Sequence, residues 1–238
     1  LVSVTSFSVH GAVLDTLQQR LIQAEHNYDA DVALKLVDEL QALVKAEPSV
    51  EANMALARAT LIVAESRRYE YEKADGLRDP RDRRLRRRAI DDVARIGLDA
   101  LATVPDSLSE KWRISADLYG PMIRSNYKGS KYVQELEDAT ERAIELDPQN
   151  PYALITASKR PLFAEENRGG DIPVAMEFLN KAIEIDPKLD RAYAFRGVGY
   201  EELGEMDKAV ADWKKALQLA PNSRLAQDKL DDYNKKNP

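Results

Sequence analysis

Between Arg78 and Arg88 the chain carries seven arginines, at 78, 81, 83, 84, 86, 87 and 88, against two aspartates, a local charge of 7 − 2 = +5. Guanidinium groups at that density grip carboxylates or phosphates through paired N–H donors. Three readings compete. A salt-bridged hairpin ranks first, because Arg87 to Asp91 and Arg88 to Asp92 are one helical turn apart and Glu65, Glu70, Glu72 and Asp75 precede the run. A patch for an acidic partner through Arg83, Arg84 and Arg87 ranks second. Nucleic acid ranks last, since the whole chain has a net charge of -6 and no aromatic residue interleaves the arginines for base stacking.

Other chemistries find less material. There is no cysteine, so thiolate metal sites, disulfides and cysteine nucleophiles are excluded. His10 and His26 are the sole imidazoles, and both lie near the start of the sequence. The 41 carboxylates offer no pair set apart as an acid and a base in an apolar setting. Gly169-Gly170-Asp171 lacks the glycine–lysine spacing of a phosphate loop and reads as a turn. The sequence is therefore read as a non-enzyme with no metal and no cofactor.

The elements that position these residues are helices. Hydrophobic residues make up 44% and charged residues 32% of 238, with only 10 glycines and 11 prolines. Alanine, leucine and the charged residues that dominate lose little in a helix, so the class is all-α. No apolar run reaches the roughly 18 residues of a membrane span. Leu1 to Val9 is apolar and rich in serine and threonine, and reads either as the remnant of a cleaved leader or as a frayed arm.

One element recurs: ERAIELDP ends at Pro148, NKAIEIDP at Pro187 and KKALQLAP at Pro221, with weaker versions ending at Pro48 and Pro105. Proline stops a helix because it cannot donate the next hydrogen bond and disfavours helical geometry in the residue before it. Second breaks fall at Gly204-Glu205, at 167–171 and at Lys128-Gly129-Ser130, with Asp171 and Ser130 as helix caps. The predicted pairs are 12–27 with 30–46, 50–73 with 80–103, 108–126 with 131–146, 151–166 with 172–185, and 189–203 with 206–219. A last helix over 223–236 covers the final pair.

From Tyr193 to Pro221 the pattern Tyr193-x2-Arg196-Gly197-x2-Tyr200, then Ala209-x3-Trp213-x2-Ala216-x4-Pro221, resembles the tetratricopeptide repeat. Ala175-x3-Leu179-x2-Ala182-x4-Pro187 repeats the second half, and Trp112-x2-Ser115-Ala116-x2-Tyr119 the first. The likeness is clear over about 109–221. It implies one domain over 1–238, a right-handed helical-hairpin solenoid with degenerate hairpins over about 12–147, clear repeats over about 149–221 and a cap over about 222–236. A narrower resemblance, from the lengthened hairpin Glu51 to Thr103 and the late Gly-Gly-Asp turn, is to the T-component lipoproteins of bacterial TRAP transporters. Those are periplasmic and work beside a solute-binding protein, through a lipidated cysteine that this sequence does not show.

In such repeats the first helix of each hairpin lines a concave wall that grips peptides or partner helices. The wall residues this implies are Arg113, Asp117 and Arg124; Tyr152, Ile155 and Lys159; and Arg191, Ala194, Val198 and Glu201. They do not match the lysine–asparagine–arginine carboxylate clamp of chaperone-tail adaptors. Ala52, Ala55, Ala59 and Ile62 share one face of a long helix and are read as close-packing residues rather than as a ligand slot. The expected function is a non-catalytic protein–protein interaction scaffold for a peptide, helix or partner subunit; the alternative is a periplasmic transport accessory handling a small ligand. Self-association at the N-terminal end is a further expectation, and the compartment is left as periplasmic or cytoplasmic.

Overall fold

The computed structural model describes residues 3–73, 79–123 and 127–237, with side chains from Gly11 onward except 127–130 and 168. The regular elements among the described residues are all helical. They are α1 (Ser3–Asn27), α2 (Ala30–Ala46), α3 (Val50–Lys73), α4 (Pro80–Leu101), α5 (Ser109–Tyr119), α6 (Tyr127–Leu146), α7 (Pro151–Phe163), α8 (Ile172–Ile185), α9 (Asp190–Glu202), α10 (Met206–Leu219) and α11 (Arg224–Lys236). The helices pack into two compact units, Leu1–Ala139 and Thr140–Pro238.

The first unit is organised around α3, which packs against α1, α2, α4 and α5. Residues on every side of α3 are therefore buried, including Ala52, Ala55, Ala59 and Ile62, which close-pack as expected. Leu21 of α1, Leu36 and Leu40 of α2, Leu101 of α4, and Ile114 and Leu118 of α5 complete the core. The α3–α4 approach is so close that a Cβ on Gly97 would collide with Thr60 Oγ1 and Leu118 Cδ1. Asp79 caps α4, its Oδ1 accepting from Arg81 N at 2.8 Å, and Pro80 occupies the first turn, where its missing donor costs nothing.

Three helix boundaries differ from the sequence reading by four residues or more. The helix expected over 108–126 stops at Tyr119, and Gly120–Met122 forms a single 3-10 turn. Pro121 cannot continue the α-helical ladder, and Arg68 of α3 takes the freed carbonyls: its Nη1 donates to the oxygens of Gly120, Pro121 and Ile123 at 3.3, 3.3 and 3.2 Å. The break expected at 128–130 is instead helical, because α6 already begins at Tyr127. The helix expected over 12–27 begins nine residues earlier, at Ser3, while Leu1 and Val2 lie outside the described residues.

The second unit contains the hairpins α7–α8 and α9–α10, with α11 packed on α10. Asn150 caps α7 through bonds from the Tyr152 and Ala153 N–H groups at 3.0 and 3.2 Å, and Asp171 caps α8 through Val174 N at 3.1 Å. Gly169 and Gly204 turn the chain with φ of 95° and 75°. Pro161 lies inside α7 without ending it, and its carbonyl accepts from Asp171 N at 2.8 Å, which ties the Gly-Gly turn back to the helix. Trp213 is fully buried among Ala194, Ala209, Ala216 and Ala226. Its indole lies where a Cβ on Gly197 would be, so α9 and α10 can meet only with glycine there.

Candidate functional site

The expected wall residues separate into three groups. In the first unit, Arg113 and Asp117 are buried, at 7% and 6% exposure. Arg113 Nε donates to Glu110 Oε2 at 3.1 Å, and its Nη1 donates to Asp117 Oδ2 at 3.0 Å. Burial by itself opposes the charge on Arg113, but the Glu110 and Asp117 carboxylates outweigh it and hold the guanidinium well above its ordinary range. Arg58 of α3, ion-paired to Glu25 of α1, feels the charges of Arg113 and Glu110 as well. Arg113 and Asp117 are thus buried and neutralise each other within α5, so they present no surface to a partner. Arg124 lies outside the described residues.

In the second unit, Ile155 and Val198 belong to the core with Leu154, Leu162 and Leu179. Ala194 is likewise buried, beside Trp213. Glu201 forms an ion pair with Lys229 of α11, and Arg191 is half-buried. Tyr152 is 47% exposed. Lys159 Nζ sits 5.9 Å from the Phe195 ring centroid. Phe163, 56% exposed, meets that same ring edge-on at 5.7 Å with an interplanar angle of 80°.

Tyr152, Lys159 and Phe163 therefore form one stripe of α7, since offsets of seven and eleven return to the same helical face. Lys159 and Phe163 flank Phe195 on the neighbouring α9. Sequence reasoning places Ala194 in the wall where Phe195 stands, a register error of one residue, and it misses Phe163. The available signal is spacing: Phe163 follows Lys159, and Phe195 follows Arg191, by one helical turn.

The arginine segment is the third group. Arg83 and Arg84 are exposed, and Arg87 donates through Nε to the Tyr71 hydroxyl at 2.9 Å while covering its ring. Along α4 itself Arg86 pairs with Asp82 and Arg88 with Asp92, each at 3.5 Å. Of the carboxylates expected to cross the hairpin, Glu72 binds Arg68 and Glu70 accepts from Ser66, both on their own helix. Asp75 and Arg78 lie outside the described residues.

Hairpins of paired helices, with small residues at the contacts and a helical cap on the last pair, define an all-α repeat protein of the helical-hairpin solenoid class. A family model described as tetratricopeptide repeat matches residues 190–223. A solved thermophilic tetratricopeptide-repeat protein from Thermus thermophilus superposes with a TM-score of 0.62 at 15% identity, over 90% of this chain and 96% of that one, which shows the shared fold. Anaphase-promoting complex subunit 3 of Dictyostelium discoideum is 34% identical over 100 residues, 42% of this chain and 10% of that protein. Heat shock protein STI1 of Saccharomyces cerevisiae is 25% identical over 118 residues, 50% of this chain and 19% of that protein. The chain thus spans at most a fifth of these curated relatives. Residues 190–223 match the tetratricopeptide repeat, and the chain shares the fold of a tetratricopeptide-repeat protein. No helix among the described residues is long and apolar enough to cross a membrane.

Proposed function

We propose that this protein is a non-catalytic protein–protein interaction scaffold whose second unit presents the α7–α9 surface to a peptide, helix or partner subunit. The observation that carries this is Phe163: it is more than half exposed at the end of α7, stands edge-on against Phe195, and has Lys159 over that shared ring. An aromatic side chain left in water beside a fixed cation contributes little to the fold, and it is the kind of residue that anchors interfaces once a partner desolvates it. Tyr152 extends the stripe toward the start of α7, and Arg191 lies one helical turn before Phe195 on α9.

Affinity capture with the intact protein tests the reading, comparing the parent with the triple variant Tyr152→Glu, Lys159→Glu, Phe163→Ser and with Lys214→Glu on exposed α10. A protein recovered by the parent and by the Lys214 variant, but lost by the triple variant at unchanged helicity, supports it. Equal recovery by all three sinks it. Recovery of a solute-binding protein would make the transport-accessory role the particular form of this function.

A further inference from the structure

The solvent side of α4 carries Arg81, Leu85, Arg88, Asp92, Arg95 and Asp99, all exposed. Their spacing alternates four and three residues, which keeps them on one stripe along the helix. Positive charge gathers near the start of α4 and negative charge toward its end. That order opposes the helix macrodipole, which favours anions at the N-terminus and cations at the C-terminus. Local helix stability accounts for Arg88 and Asp92, which pair one turn apart, but not for Arg81 and Asp99. Nor does the rest of the unit: Arg81 and Asp99 form no ion pair among the described residues.

The stripe is complementary to itself when reversed. Arg81 and Asp99 lie equally far from residue 90, as do Arg88 and Asp92, and Leu85 and Arg95. Two antiparallel copies would place arginine opposite aspartate at every charged pair of positions, with no like charges facing. Leu85, 66% exposed, is the most exposed large apolar residue among the described ones. Opposite it falls the exposed Arg95, whose aliphatic stem can cover an apolar side chain. A polyanion fits this stripe poorly, because Asp92 and Asp99 would repel it.

We propose that the α4 faces of two copies of this chain pair antiparallel about a two-fold axis level with Ile90. Arg81–Asp99 and Arg88–Asp92 contacts each form twice, and each Leu85 is covered by the other copy's Arg95 stem. The contact is isologous, so it closes at a dimer. Being built from exposed ion pairs, it weakens as salt rises and the screening length shortens to about 10 Å or less.

Sedimentation velocity on the full chain at low ionic strength is the test. The parent is expected to dimerise with increasing concentration and to dissociate on adding salt. Arg81→Asp alone and Asp99→Arg alone each set like charges against each other twice, and each should weaken association by about tenfold or more. An equimolar mixture of the two variants should dimerise again, since both contacts then set two aspartates of one variant against two arginines of the other. The two positions are about 27 Å apart along one helix, so compensation within a copy is impossible. Leu85→Ser, which changes no charge, should also weaken the dimer. A parent that stays monomeric, single variants that associate like the parent, or a mixture that fails to recover each overturns the proposal. Retention of a monomeric parent on heparin would assign the arginines to an anionic partner instead.

Discussion

The two units place their arginine–aspartate pairs differently. In the first, Arg113 is buried against Asp117 on its own helix α5, and the half-buried Arg58–Glu25 pair joins α3 to α1. In the second, apolar contacts and small residues pack the hairpins and Arg196 joins α9 to Asp212 of α10, while Lys159 and the rings of Tyr152 and Phe163 remain at the surface of α7. Repeats that stay regular can lend their first helices to binding. A unit built around one enclosed helix spends the same positions on its own cohesion.

The largest effect should come from Arg113→Ala, which leaves Asp117 buried without its guanidinium. A loss of about 3–5 kcal/mol is expected, read by denaturant titration. A loss no larger than that of an exposed substitution would erase the contrast between the units.

Gly197→Ala in the second unit drives a methyl into the Trp213 ring and should cost about 3 kcal/mol through overpacking, measured in the same titration. Bulky replacements of the fully buried Ala182 or Ala216 act in the same way.

Arg196 offers a finer probe. It occupies the position that holds leucine in the repeat pattern, donates to Asp212 through Nε and Nη2 at 2.7 and 2.9 Å, and reaches Asn180. Arg196→Leu should cost about 1–2 kcal/mol by stranding Asp212, and adding Asp212→Leu should recover most of it. Failure of the second change to help would mean that the second unit depends on internal charge as the first does.

The smallest effect is expected at Arg20–Glu39, exposed on α1 and α2. Its hydrogen bond with Arg20 holds the Glu39 carboxylate below the ordinary range, so its contribution is present above that range and lost as pH falls through the lowered value. Glu39→Gln should change stability at neutral pH by no more than about 0.5 kcal/mol, and the difference should vanish in acid. Thermal melts at two pH values check this.

Much of the fold is legible residue by residue. Proline at 48, 148, 187 and 221 marks where helices end, and Asp79-Pro80 and Asp171 mark where α4 and α8 begin, because missing donors and capping carboxylates act within one turn. The end of α5 is harder to read, because the stop at Gly120-Pro121 is completed by Arg68 from a distant helix. The candidate site is less legible still. Helical spacing places Arg113 and Asp117 on an outer wall, although Glu110 and Asp117, at offsets of three and four from Arg113, already suggest a cluster able to neutralise itself and so tolerate burial.

The sequence alone determined the all-α class, most helix boundaries and the repeat at 190–223, because these depend on propensity, capping and spacing along a single helix. Which side of each helix meets its neighbours was decided only by the tertiary structure. Spacing defines a stripe, but burial depends on the helices packed around it. Thus α3 is enclosed on all sides, Arg113 lies inside, and Phe163 and Phe195 meet across two helices that the sequence keeps 32 residues apart.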